Sequence, residues 1–253
     1  MTIFLCHNSV DGIFSGIYDA WASRLGHQNV QLQLENTNYE LFAEYREVPI
    51  DAEKAAKVAR TLRLRMGEED YTHIYQAALS KNLNKANCIY RTVVQGLASG
   101  SQGFIMQKLQ DRDICRVFEM SRNIGNEAHH YLGFVRFREL KKRVMFSEIC
   151  PDNQVLPLIG EHFADRFPTE HFLIYDKRHQ VFIAHEAYKQ WVLVAGESLN
   201  REMVDAWSEE EQGFQDLWKG FCKTIGIEER RNTRLQKQFL PLKFRRFLTE
   251  EFQ

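Results

Sequence analysis

The strongest constraint on the fold is a change of hydrophobic period at Gly133. Between Ile114 and Leu132 apolar residues recur at positions on one helical face, which predicts an amphipathic helix. Gly133 then breaks the pattern, and Phe134–Arg138 alternates between apolar and basic residues, as a strand does. After a turn-like Leu140–Arg143, a second strand is predicted at Val144–Ile149. A long helix must therefore lead directly into a β-hairpin.

The polar residues around this junction form a candidate anion-binding or acid/base site. Glu127 and His130 are three residues apart, which places a carboxylate and an imidazole on one helical surface. The same spacing occurs in di-iron proteins, but a second such motif on a convincing helix is missing, so no metal is predicted. An acid/base pair or a structural hydrogen bond is the favoured interpretation. Arg136 follows on the predicted strand.

A second group of polar residues follows the hairpin. His162 and Arg166 are four residues apart on a predicted helix, and Asp176 follows the next predicted strand. The favoured interpretation is a hydrogen-bonded network that anchors this helix to the sheet, and a binding pocket is the alternative.

The whole pattern predicts a single α+β domain over residues 1–253, with a mainly antiparallel sheet packed by helices. Residues 51–132 are predicted to be mostly helical, as an insertion in the N-terminal half. The first helix of this region is predicted to be capped by Asp51, to run through Met66 and to stop at Gly67. The later strands, His171–Tyr175, Val181–Ala184 and Trp191–Ala195, are continuously apolar, which indicates strands covered on both faces. A strongly amphipathic helix follows. Its apolar stripe consists of Phe214, Leu217, Trp218, Phe221, Cys222 and Ile225.

Composition excludes several classes of protein. The formal net charge of −1 gives no global sign of nucleic-acid binding, so any basic surface must be local. Five scattered cysteines without Cys-x-x-Cys spacing argue against a zinc ribbon, an iron–sulfur cluster or a disulfide framework. Walker, Gly-x-Gly-x-x-Gly, Gly-x-Ser-x-Gly and His-Glu-x-x-His motifs are missing, so no cofactor is predicted. With no apolar run of membrane-spanning length, we expect a cytoplasmic protein without a membrane partner.

The clearest electrostatic feature is a basic helical C-terminal segment, residues 228–248. Between positions 230 and 246 the chain has seven basic residues and no acidic one, with phenylalanines interleaved. The basic residues are Arg230, Arg231, Arg234, Lys237, Lys243, Arg245 and Arg246. Such a surface could neutralise phosphates while its aromatic rings stack on bases. An alternative with equal support is a terminal helix whose phenylalanines pack in the core and whose arginines face solvent without binding a ligand.

Four stretches together resemble a known family. They are Asp11-Gly12 with the aromatic helix after it, E-A-H-H-Y-L-G-F-V-R-F (127–137), H-F-A-D-R-F (162–167) with Ile174-Tyr175-Asp176, and R-R-N-T-R-L-Q-K-Q-F-L-P-L-K-F-R-R-F-L (230–248). The chain resembles, over nearly its whole length, a bacterial DNA metabolism or DNA repair family, a domain of unknown function. Its members are typically encoded beside a radical SAM protein of DNA-repair type, and some are fused to a uracil-DNA glycosylase-like domain.

The chain departs from the family pattern at two points. Thr233 stands where the family often has proline, and Lys243–Arg246 stands where it often has Tyr-Trp. Both changes keep the basic and aromatic character of the segment. The resemblance carries a set of residues over as functional candidates. They are Glu127, His129, Arg136, His162, Arg166, Asn232 and Gln236.

Three functional hypotheses follow. The leading one is a DNA-metabolism protein that binds single- or double-stranded DNA and acts with a radical SAM partner. Its nucleic-acid-binding residues are Arg230, Arg231, Asn232, Arg234, Gln236, Lys237, Arg245 and Arg246. The second is an enzyme acting on a nucleobase or nucleotide, with Glu127 or His130 as general base. Its catalytic candidates are Glu127, His129, His130, Arg136 and His162, with Arg166 and Asp176 lining the pocket.

The enzyme hypothesis requires Glu127, His130, Arg136 and His162 to converge on one pocket. The third hypothesis is a non-catalytic scaffold for the radical SAM partner. It requires a contiguous exposed apolar patch.

Overall fold

The fold is given by a computed structural model, which describes residues 1–35, 37, 39–100, 104–141, 143–195, 209–225 and 232–249. The chain forms two compact units, residues 1–126 and 127–253, and the division falls within one long helix. Each unit has its own sheet packed with helices, so the predicted α+β class is confirmed. The assignment of residues 1–253 to a single domain stays a prediction.

The N-terminal unit contains a three-stranded parallel sheet of order β2-β1-β3. The strands are β1 (Thr2–Cys6), β2 (Val30–Leu34) and β3 (Glu44–Glu47). Both neighbours run parallel to β1, with Thr2 opposite Val30 on one side and Glu44 on the other. A mainly antiparallel arrangement is therefore wrong for this unit. All five residues of β1 are buried, as expected for a central parallel strand that is covered on both faces.

Helices account for the rest of the N-terminal unit. They are α1 (Val10–Ala22), α2 (Ala52–Met66), α3 (Glu68–Ala78), α4 (Lys85–Ser99) and the first part of α5 (Arg112–Phe134), with short 3-10 turns at His27–Asn29 and Ile105–Gln107. The sequence-predicted limits of α2 are confirmed. Asp51 caps its first turn by accepting from two backbone N–H groups, and Gly67 ends it with a φ of 93°.

The C-terminal unit contains a five-stranded mixed sheet of order β4-β5-β6-β7-β8. The strands are β4 (Arg138–Leu140), β5 (Val144–Ile149), β6 (His171–Asp176), β7 (Val181–His185) and β8 (Val192–Ala195). Helix α6 (Leu156–Arg166) connects β5 to β6, which are parallel, and the other three pairs are antiparallel. The predicted β4–β5 hairpin is thus present.

Two local predictions in this unit are wrong. Helix α5 continues through Gly133 to Phe134, and the first strand begins at Arg138. The extra helical residues place the ring of Phe134 against those of His130 and Phe244, a contact that the alternating sequence pattern could not reveal. Strand β8 is also not covered on both faces, since Val192 is 54% exposed.

Three further helices close the described chain. They are α7 (Glu209–Ile225), α8 (Thr233–Phe239) and α9 (Leu242–Arg245). After α8, Phe244 and Leu248 are buried within the C-terminal unit. Of the helices that the structure describes, none has both the length and the apolar character needed to cross a membrane.

Candidate functional site

Glu127 is the centre of a buried hydrogen-bond network in the C-terminal unit. Its Oε1 accepts from the backbone N–H of Asp152 at 3.0 Å and from Nζ of Lys243 at 2.9 Å. Its Oε2 accepts from the backbone N–H of Asn153 at 3.0 Å and from Nδ2 of the same residue at 2.7 Å. The residue is only 5% exposed. Each carboxylate oxygen therefore already accepts two hydrogen bonds.

The environment of Glu127 keeps its carboxylate ionised. Burial alone would raise the pKa, but the bonds from Lys243, Asp152 and Asn153 outweigh it and hold the pKa of Glu127 below its ordinary value. A carboxylate with a lowered pKa and occupied lone pairs is poorly suited to remove a proton. The geometry indicates that Glu127 anchors the loop between β5 and α6 to the C-terminal segment. It gives no support to Glu127 as a general base.

The three histidine candidates have separate surroundings. The ring of His130 stacks on Phe134, with centroids 5.7 Å apart, and also contacts the buried Phe244. His129, the next residue, is exposed. His162 is exposed on α6, where its ring meets the edge of Phe163.

Of the four residues that the enzyme hypothesis places in one pocket, only Arg136 lines the cavity at the start of the second sheet. The cavity beside Arg136 has neither Glu127, His130 nor His162 in its wall. The convergence that the enzyme hypothesis requires is therefore not found there. The catalytic roles of these residues stay predictions.

The predicted pocket residues Asp176 and Arg166 also lie apart from that cavity. Asp176 is 1% exposed and accepts from the backbone N–H groups of Arg178 and His179, and from Nδ1 of His179 at 2.6 Å. These bonds shape the turn between β6 and β7, so Asp176 anchors its own turn and not helix α6. Arg166 is exposed, and its guanidinium lies 5.7 Å from the centre of the Phe167 ring.

A small cavity of about 110 Å³ brings together three guanidinium groups, and we call it the arginine pocket. Arg138 is the first residue of β4, Arg136 lies two residues before it, and Arg246 comes from the end of the C-terminal segment. Arg136 is oriented by donating to the carbonyl of Gly133 at 2.8 Å. The other lining residues are Phe137, Phe146, Ser147, Glu148, Gln215, Phe247 and Thr249.

Among the described residues that line the arginine pocket, three are cations and one is a carboxylate. The carboxylate, Glu148, forms an ion pair with Lys177 at 3.1 Å. Guanidinium groups present several N–H donors in a planar fork that matches phosphate oxygens. The pocket is too small for a nucleotide but suits a single phosphate group. Sequence reasoning selected Arg136 and Arg246 separately. Arg138 was not selected as a candidate, although the alternation of the predicted strand places it on the same face as Arg136.

The basic C-terminal segment divides its side chains between structure and surface. Asn232 is a helix cap, accepting from the backbone N–H of Leu235 at 3.0 Å. Lys243 binds Glu127, and Nε of Arg245 donates to the carbonyl of Leu240. Among the predicted nucleic-acid-binding residues, Arg234, Gln236, Lys237 and Arg246 are exposed. Arg230 and Arg231 lie outside the described residues.

Helix α7 has its apolar stripe exposed. Glu211 accepts from the backbone N–H of Glu139 on β4 at 3.1 Å and from Nε2 of the buried Gln215. The polar side of the helix therefore packs on the sheet. The opposite side presents a row of exposed apolar residues, namely Phe214, Leu217, Trp218 and Phe221. This inverts the usual orientation of an amphipathic helix.

Comparison with known proteins gives a family and little more. No curated protein matches the chain. Among solved structures, a DHH domain described as a member of the s1p family of ribosomal proteins is similar at 10% sequence identity and a TM-score of 0.35, with 74% of this chain and 73% of that chain covered. This likeness carries no argument about function. The model of the family described as a domain of unknown function, DUF4130, matches residues 83–250, which is more than half of the chain. The protein therefore belongs to the DUF4130 family.

Proposed function

We propose that this protein acts in DNA metabolism or repair, binds nucleic acid through its C-terminal unit and works with a radical SAM protein. The observation that carries the nucleic-acid proposal is the arginine pocket, where Arg136, Arg138 and Arg246 surround a space of about 110 Å³. The DNA-repair role and the radical SAM partner rest on the family resemblance. Because the chain has a formal net charge of −1, binding must depend on such a local surface.

Phosphate binding by this surface has a clear physical basis. One backbone phosphate would occupy the arginine pocket, and the exposed cations Arg234 and Lys237 on α8 would contact further phosphates. The exposed ring of Phe239 on the same helix offers a stacking surface for an unpaired base. Lys243 is excluded from this role because it binds the buried carboxylate of Glu127.

The test is DNA binding across a salt series. Fluorescent single- and double-stranded DNA, each with and without uracil, would be titrated with the wild type and with the double variant Arg234→Gln/Arg246→Gln. Removing two phosphate contacts should weaken binding about 10-fold or more and reduce the slope of log K against log [salt] by about two. Comparing the affinities for single-stranded, double-stranded and uracil-containing DNA identifies the form of DNA that the protein prefers.

The matched control is Arg112→Gln/Arg122→Gln, which removes two exposed charges from the N-terminal unit. It should bind like the wild type. Circular dichroism would establish that both variants are folded. Equal affinity and equal slope for the wild type and the C-terminal variant would refute the proposal. Equal losses in both variants would also refute it, because they would indicate a general effect of net charge.

A second candidate function, a scaffold for the radical SAM partner, is favoured by helix α7. Its exposed residues Phe214, Leu217, Trp218 and Phe221 are the kind of apolar surface that this hypothesis requires. Aromatic residues of this kind are common hot spots in protein interfaces. Replacing Phe214 and Trp218 by serine should abolish association with the radical SAM protein in analytical ultracentrifugation, and DNA binding should be unaffected. Unchanged association of the folded variant would refute the scaffold role.

A further inference from the structure

The N-terminal unit contains an open groove of about 640 Å³ between helices α1, α2 and α4. We call it the N-terminal groove. Its floor is apolar and formed by residues that are almost fully buried. These are Ile17, Val58, Leu62 and Val93. The volume lies in the range of about 300–1,000 Å³ that is usual for small-molecule sites in proteins.

One edge of the groove carries a supported aromatic ring. Trp21 lines the groove and is 39% exposed. Its ring packs on the ring of His27, with centroids 4.4 Å apart, and Nδ1 of His27 is 2.8 Å from the hydroxyl of Tyr90. Arg91 also donates to the carbonyl of His27 at 2.6 Å. His27, itself held by these two contacts, therefore supports the indole of Trp21.

The α2 side of the groove carries positive charge. Lys57, Thr61 and Arg65 are exposed and four residues apart, so they form one stripe along α2. Arg24, just after the end of α1, adds a third cation to the lining. The described residues that line the groove include three cations and no carboxylate. None of these cations forms an ion pair with a described residue.

Neighbouring cations on α2 differ in their pairing. Lys54 and Arg63 lie outside the groove wall and are paired, Lys54 with Asp19 at 2.8 Å and Arg63 with Glu68 at 3.5 Å. Arg60 also lies outside the wall and forms no ion pair with a described residue, so pairing alone does not mark the groove. The groove is marked by three cations that line one apolar cavity.

We propose that the N-terminal groove binds a nucleotide, with the base against Trp21 over the apolar floor and the phosphate between Lys57 and Arg65. The flat base of a nucleotide can stack on the aromatic ring of Trp21, and its phosphate can bind the cations that line the same groove. A fatty acid matches less well, since a single carboxylate would leave most of the positive edge unused. The nucleotide is either free or part of a single-stranded nucleic acid. This site uses residues of the N-terminal unit alone and does not depend on the arginine pocket.

The test is isothermal titration calorimetry of the full chain with separate probes. These are deoxyadenosine monophosphate, deoxyadenosine, inorganic phosphate, the hexanucleotide of deoxythymidine, and palmitate. The monophosphate should bind at least 10-fold more tightly than deoxyadenosine or phosphate alone. If the hexanucleotide binds more tightly than the monophosphate, the natural ligand is a strand, and the reverse order indicates a free nucleotide.

Variants assign the binding to the groove. Arg65→Glu should weaken monophosphate binding at least 10-fold, and Trp21→Ala should weaken it severalfold. The matched control Arg60→Glu makes the same charge change on the same helix outside the groove wall and should leave binding unchanged. The C-terminal variant Arg234→Gln/Arg246→Gln should also bind the monophosphate normally. Binding of palmitate but not of the monophosphate, or equal losses in Arg65→Glu and Arg60→Glu, would overturn the proposal.

Discussion

Replacing Glu127 by glutamine should destabilise the C-terminal unit by about 2–3 kcal/mol. Each oxygen of Glu127 accepts two hydrogen bonds, and glutamine has only one acceptor oxygen. Its NH₂ group must therefore face two donors, whichever way the amide turns. The loss of two bonds to a charged acceptor costs about 1.5 kcal/mol each, and the partly exposed side of the network can recover some of this by hydration. The melting temperature should fall by about 5–10 °C.

The control for this prediction is Lys243→Met. The side chain of Lys243 is 48% exposed, so its ion pair with Glu127 should contribute less than about 1 kcal/mol. In the variant, Glu127 keeps the three bonds from Asp152 and Asn153. Urea unfolding at neutral pH measures both changes. We attribute most of the stabilisation by Glu127 to its bonds with the backbone of Asp152 and Asn153 and with the Asn153 amide. This would be refuted if Glu127→Gln left the stability unchanged, or if Lys243→Met lowered it as much as Glu127→Gln does.

The stabilisation by Glu127 should depend on pH in one direction. Its folded-state pKa is lowered from the ordinary value of 4.5, so folding favours the ionised form. The stabilisation that the ionised Glu127 provides is complete above about pH 4.5 and is lost as the pH falls through the lower, folded-state pKa. The difference in stability between wild type and Glu127→Gln should therefore be constant from pH 7 to about 5 and narrow below that. A difference that grows on acidification would contradict the lowered pKa.

Two further predictions concern stability. At Gly12 an added Cβ would lie 2.5 Å from the carbonyl oxygen of His7, so Gly12→Ala should lower the free energy of unfolding by about 1–3 kcal/mol. At Gly125 an added Cβ would meet no atom within 4 Å, so Gly125→Ala should leave the free energy of unfolding unchanged or raise it by up to about 1 kcal/mol. Thermal unfolding separates the two variants, and equal effects would contradict this reasoning. Asp176→Ala should be more destabilising than Asp176→Asn by about 1–2 kcal/mol in urea unfolding, because the asparagine oxygen can still accept from the turn N–H groups of Arg178 and His179. Equal losses would show that these bonds contribute little.

The sequence predicted the fold best where a local signal acts alone. Asp51 and Gly67 delimit α2 correctly, because an N-cap side chain and a glycine with positive φ act within one turn of the helix. Gly133 misled the prediction, because glycine only weakens a helix and the packing of Phe134 on Phe244 favours continuing it. The parallel order of the first sheet was also missed. A buried apolar strand such as Thr2–Cys6 does not encode the direction of its neighbours.

The candidate site was predictable in composition but not in arrangement. Arg136 and Arg246 were both selected from sequence, yet their meeting in one pocket depends on tertiary packing across 110 positions. The N-terminal groove was missed as a site. The arginines near the end of α2 were visible, but no sequence signal shows that Trp21 lies on the opposite edge of the same groove. Contacts between distant segments are the part of a site that periodicity cannot supply.

The C-terminal segment shows why counting charges overestimates a binding surface. Lys243 falls in the stretch where the resembled family often carries Tyr-Trp, and here its half-exposed side chain forms an ion pair with the buried Glu127. Phe244 beside it is only 3% exposed, so it contributes to the core and not to base stacking. Arg246 lines the arginine pocket. The core-filling interpretation is therefore confirmed for Phe244, and phosphate binding by Arg234 and Arg246 stays a prediction. For this reason Arg234 and Arg246, and not Lys243, are the substitutions that distinguish phosphate binding from folding.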